Sequence, residues 1–144
     1  MAQAAWLDAL RSLAFFCADG DASEASGLLI EMNQLLQTVP STACMEGVKP
    51  IEATRMDALL RAEAYESAAM AMLDRGTGYL MSRSGDGHSL ATVSLPRSGQ
   101  EHSGSGNTPA LALVGALAIS LASQTMVAPS PSRRVGIGTR LALH

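Results

Sequence analysis

Apolar residues recur along this chain with two different periods, and each period predicts a different kind of element. Over residues 3–18, Trp6, Leu10, Leu13 and Cys17 are spaced by 4, 3 and 4, with Leu7 and Ala14 widening the stripe. That is the period of a helix buried along one face. Asp19-Gly20-Asp21 ends it, with Gly20 predicted as a left-handed terminator. Asp21 or Ser23 then caps a second helix, and Glu24 falls in its first turn, where the helix dipole favours an anion. Leu28, Leu29, Met32, Leu35 and Leu36 line one face of that helix before Pro40 stops it. Two helices joined by so short a turn are predicted to form an antiparallel hairpin within residues 1–39.

Residues 40–49 read as a loop, and Pro50 suits the first turn of a third helix over 50–75, ended by Gly76. Its apolar face is Met56, Leu59, Leu60, Ala64, Met70, Ala71 and Leu73, and the weakly apolar stretch Tyr65–Ala69 allows a break near Ser67. The period then drops to two. Tyr79-Leu80-Met81 and Leu90-Ala91-Thr92-Val93 flank a Gly85-Asp86-Gly87 tip, which predicts a β-hairpin over 78–95 with Ser84 opposite His88. In that register Tyr79, Met81, Ala91, Val93 and Leu95 share one face. A two-stranded ribbon is not stable alone, so this face must lie on a helix or another ribbon. Pro96 closes the second strand, and residues 97–107 read as a mobile polar linker.

From Ser103 to Ser132 no residue carries a charge. Thr108 as cap and Pro109 at the first helical position open an Ala/Leu-rich helix predicted over 109–127. Such a helix must be covered by the rest of the chain, by a second copy or by a membrane. Its apolar length falls inside the spanning range of roughly 17–25 residues, so membrane association through residues 110–128 is one reading. Against it, Ser120, Ser123, Gln124 and Thr125 crowd the final turns, and no Trp, Tyr or Lys belt brackets the segment. The expectation is a buried helix of a soluble protein. Leu111, Val114, Leu117, Ala118 and Leu121 would form its main stripe, with Leu113 and Ser120 on a side available to a second copy. After Pro129 and Pro131, Val135, Ile137, Thr139, Leu141 and Leu143 alternate with Gly136, Gly138, Arg140 and Ala142, which leaves an edge strand or a frayed end open.

The predicted class is therefore α+β. A helical hairpin, a long helix, a β-hairpin and an apolar helix would form one domain over 1–128, followed by a tail over 129–144. At 144 residues the chain can bury a real but modest core. With only five aromatic residues, Trp6, Phe15, Phe16, Tyr65 and Tyr79, that core must be built from Ala, Leu and Met. The net charge of −3 is uneven: residues 1–75 hold eleven acids and five bases, residues 76–144 two acids and five arginines. That split favours contact between halves or copies. It falls far short of a nucleic-acid footprint, and the scarcity of aromatics removes stacking platforms for single strands. The N-terminus lacks the basic and uninterrupted apolar regions of a signal peptide, so a cytoplasmic location is expected. On charge and composition, neither a nucleic-acid nor a membrane partner is expected.

Chemistry-bearing residues are few. Asp86 with His88, and Glu101 with His102, supply metal-type ligand atoms, but both pairs fall on glycine-flanked segments without rigid support, so no metal is expected. A small hydrolase or transferase using His88 or His102 is the enzymatic alternative; no Gly-x-Ser-x-Gly turn supports it, and no catalytic set can be assigned. Ser103-Gly104-Ser105-Gly106-Asn107-Thr108-Pro109 precedes a helix N-terminus but has no P-loop lysine, so a capped linker is expected there and no cofactor. Cys17 lies on the apolar face of the first helix as a packed thiol, and Cys44 lies in a loop near Glu46. Six of the eight methionines fall between Met32 and Met81, where core filling is the commoner use and an adaptable partner groove the alternative.

The hairpin, its polar link and Thr108-Pro109-Ala110-Leu111-Ala112-Leu113 opening a helix together resemble the small α–β–β–α sandwich domains carried by phage and prophage genes, over about residues 56–124 when the third predicted helix is included. The resemblance implies a small accessory domain without known activity and supplies no functional residues. The helical hairpin at 1–39 falls outside it. The leading expectation is a non-enzymatic interaction or accessory protein acting as a homodimer.

Overall fold

The computed structural model describes residues 2–41 and 43–126; the alternating tail, with its edge strand or frayed end, lies outside the described residues. Helix α1 (Gln3–Asp19) and helix α2 (Ala25–Gln37) are joined through a 3-10 turn (Ala22–Glu24). Helices α3 (Ala53–Arg61) and α4 (Tyr65–Ala71) follow, then strands β1 (Gly78–Arg83), β2 (Ser89–Ser94) and β3 (Glu101–Gly106), and helix α5 (Pro109–Met126). The strands form an antiparallel sheet in the order β1-β2-β3. The class is α+β.

Trp6, Leu7, Leu10, Leu13, Ala14 and Cys17, the stripe read from the sequence, are the buried residues of α1. Trp6 is fully enclosed, and its indole N–H donates to the Leu35 carbonyl at 2.9 Å, so the largest side chain of the core also fixes the α1–α2 hairpin. Asp21 and Glu24 form a capping box, the Asp21 N–H donating to the Glu24 carboxylate at 3.2 Å. Gly20 departs from expectation. It is extended, with φ −79° and ψ 156°, and its carbonyl accepts a bond from the Asn107 side chain at 2.8 Å.

The single helix expected over 50–75 is two short ones. Asn33, buried on α2, holds Ile51 by both backbone groups: its Nδ2 donates to the Ile51 carbonyl at 2.9 Å, and its Oδ1 accepts the Ile51 N–H at 2.8 Å. That clamp keeps the chain extended at Glu52 and delays the helix to Ala53. The break falls at Ala62–Ala64, ahead of Ser67, and closes by Glu63 N–H to Leu60 and Ala64 N–H to Leu59. This is a Schellman closure with Glu63, at φ 56°, in the place usually taken by glycine. Downstream of the break the buried face shifts to Ala68, Ala69 and Met72.

The hairpin has the predicted register. Ser84 N–H donates to the His88 carbonyl at 2.9 Å, Gly87 has φ 91°, and Tyr79 lies opposite Val93 and Met81 opposite Ala91. The predicted mobile linker is instead strand β3, paired along β2 from Ser89–Gly106 to Ser94–Glu101. Its Gly-Ser alternation has poor strand propensity but fits a close approach. A Cβ at Gly104 would lie 2.4 Å from the Ala116 nitrogen, and one at Gly106 would lie 2.9 Å from the Ala112 nitrogen. The absent side chains let the sheet rest on the backbone of α5.

Helix α5 is the centre of the molecule, touching the sheet on one side and α1, α2 and α4 on others. Leu111 through Ala118 are buried without a break, as are Ser120, Leu121, Ala122, Gln124 and Thr125. Leu113 and Ser120, expected on a face left for a second copy, are inside the fold, and the Ser120 hydroxyl reaches the Val93 carbonyl at 3.5 Å. The sheet covers this part of α5: β2 meets Ser120, and Gly104 and Gly106 of β3 approach Ala112 and Ala116. Among the described residues no helix is long and apolar enough to cross a membrane.

Candidate functional site

The four residues with metal-type ligands do not converge. Asp86 spends its carboxylate on the hairpin tip, accepting from the Ser84 hydroxyl and from the His88 N–H at 2.9 Å. The Ser84 bond first, then the His88 bond, holds this exposed carboxyl below its usual range. The tip lies at the Arg83–Ser89–Gly106 end of the sheet, whereas His102 pairs with Val93, four residues or about 13 Å further along β2. Glu101 and His102 are themselves separated by strand alternation. His102 shares the side of Ala91 and Val93 facing α5, and Glu101 stands on the opposite face. The His102 Nδ1 is enclosed without a hydrogen-bond partner among the described residues. Among the described residues no group of three or more His, Cys, Asp or Glu side chains is placed to hold a metal ion.

The segment before α5 is occupied structurally. Residues 103–106 belong to β3, Asn107 ties the turn to Gly20, and the Thr108 hydroxyl accepts the Leu111 N–H at 3.2 Å as an ordinary cap. Cys17 is enclosed, and burial chiefly, helped by the charge of Glu31, pushes its thiol up to about 12. A thiol of that kind is a packing group rather than a nucleophile. Cys44 is half-buried, its carbonyl accepting from Gln124 Nε2 at 3.2 Å. Met32, Met56 and Met72 fill the core, and Met45, Met70 and Met81 pack at its margin.

A few large apolar side chains stand exposed on the fold. One face of the sheet rests on α5; the other carries Leu80, Ser82, Leu90, Thr92, Ser103 and Ser105, alternate residues that strand geometry sends outward. Leu80 is 70% exposed and Leu90 47%. Thr92 and Ser103 bond to each other across the strands at 2.9 Å, leaving the two leucines as the apolar contacts of this face. Beside β1 lies a shallow depression of about 240 Å³, lined by Glu66, Met81, Ser82, Arg83 and Pro109. Elsewhere Phe15 and Phe16 stand exposed on α1, their rings edge to face with centroids 5.7 Å apart. The alternation that buried Tyr79 and Met81 in the sequence reading implied that Leu80 and Leu90 face outward. That half of the pattern was the available signal for an interaction surface.

No family model, no curated protein and no solved structure matches this chain.

Proposed function

We propose that the chain is a non-enzymatic interaction or accessory protein that acts as a cytoplasmic homodimer, in keeping with the phage-type accessory domains its hairpin–link–helix segment resembles. The observation that carries this reading is the exposure of Leu80 and Leu90 on a sheet whose other face is packed along β2 and β3. Tyr79 of β1, expected to be covered, is itself 47% exposed on that side. Isolated surface leucines are ordinary, but here they stand beside an edge strand that no other described strand pairs with, where binding partners add. Both cysteines are free thiols, which suits a reducing compartment. The mass of the native chain in solution, followed by light scattering over a wide concentration range, tests the proposal. A mass of two chains is expected at the upper end, and a single-chain mass throughout would refute the homodimer.

A further inference from the structure

We infer that the homodimer forms by antiparallel pairing of β1 with β1 of a second copy, joining two three-stranded sheets into one of six strands. This inference rests on the homodimer reading above and adds the surface and the register.

Hydrogen-bond direction along β1 follows from the hairpin. Ser84 bonds His88, so by alternation Ser82, Leu80 and Gly78 direct their backbone groups to β2. Tyr79, Met81 and Arg83 therefore direct theirs away from the sheet. The two edges of the sheet are not equivalent. β3 lies against α1, where a Cβ on Gly106 would come within 3.0 Å of the Cys17 carbonyl. β1 is the outer strand; of the devices that usually blunt such an edge it carries one charge, Arg83 at its end, and no proline, lysine or bulge between Gly78 and Arg83.

The strand is complementary to itself. With a two-fold axis at Leu80, Leu80 meets its own counterpart in a non-hydrogen-bonded pair, where side chains approach most closely. Tyr79 then lies opposite Met81 of the other copy and bonds it through both backbone groups, giving four bonds across the axis. Apolar positions thus meet apolar positions. Arg83 falls opposite Thr77, the residue that closes a turn back to Asp74 with its N–H 3.3 Å from the Asp74 carbonyl. Each end of the paired strands then sets Arg83 of one copy against a turn of the other that holds both Asp74 and Arg75, so the apolar centre rather than charge carries the match. Parallel in-register pairing would instead place Arg83 beside Arg83. An edge of six residues buries less than the roughly 1,600 Å² of a standard interface, so the dimer should dissociate on dilution.

Two full-length variants and the native chain test this. Met81→Pro removes an outward N–H that makes no bond among the described residues, so the hairpin should fold while the pairing is lost. Leu80→Cys, in a Cys44→Ala background, should form an interchain disulfide under mild oxidation, whereas Phe15→Cys in the same background should not. The expected result is a native dimer at high concentration, a Met81→Pro protein with the mass of one chain and native circular dichroism, and cross-linking at Leu80→Cys only. If Met81→Pro loses its fold, cross-linking decides alone, and its absence overturns the inference. A native dimer that persists in folded Met81→Pro overturns β1 pairing but leaves the homodimer standing on another surface, such as Phe15 and Phe16. A single-chain mass for the native protein at every concentration overturns both, leaving the edge to an extended segment of another protein.

Discussion

Cys17 shows how a reactive residue type is made inert by its place on a helix face. Its thiol is enclosed among the α1–α5 contacts and is raised from 9.0 to about 12, chiefly by burial. Folding therefore favours the protonated form. The associated stability is complete below the unfolded value and is lost as pH rises from about 9 through the folded value near 12. Denaturant melts at pH 7 and pH 10 should show the protein weaker at the higher pH, with Cys17→Ala reducing the difference. Thiol titration of the native protein should label Cys44 readily and Cys17 only on unfolding. Glu63 makes a different point. It holds a left-handed conformation at φ 56° on an exposed turn, at a cost that glycine would not bear. Glu63→Gly should therefore stabilise the chain, by about 0.5–1 kcal/mol after the entropy glycine adds to the unfolded state, measured as a raised urea midpoint.

At the scale of elements, the apolar stripes of α1 and α2 and the register of the hairpin were legible because each rests on a period long enough to exclude the alternatives; α5 was legible as a buried helix, but not the burial of Leu113 and Ser120. Three features were not. The α3–α4 break uses Glu63 where a sequence reader looks for glycine. The late start of α3 depends on Asn33, eighteen residues upstream of the Ile51 backbone it holds. Strand β3 carries almost no propensity signal, because Gly104 and Gly106 were selected by the proximity of α5 rather than by the pleat. Its location also decided the fate of the candidate site, since it moved His102 from an exposed linker to the inner side of the sheet and parted it from Glu101. Gly104→Ala should cost several kcal/mol, about 2–4, because the added methyl would meet the backbone of Ala112 and Ala116 rather than a side chain that can turn away. Substitution at Gly85, whose Cβ direction is open, is the control and should change the melting temperature little.

On the scale of the whole molecule, α5 is what the other elements enclose: the sheet covers one side of it, and α1, α2 and α4 cover others. Leu117→Asp places an unpaired charge in that enclosure and should abolish cooperative unfolding or lower stability by about 3–5 kcal/mol, as read by thermal melts. The same enclosure explains why an uncharged helix needs no second copy to cover it. Amide hydrogen exchange on the native chain tests the arrangement most directly. Amides from Leu113 to Leu121 should exchange only through global unfolding. In β3, the amides of His102 and Gly104, which the register directs to β2, should be slower than those of Ser103 and Ser105. Uniformly rapid exchange over 101–106, or exchange in α5 as fast as in the exposed turn at Gly85–Gly87, would contradict a central helix held beneath a three-stranded sheet.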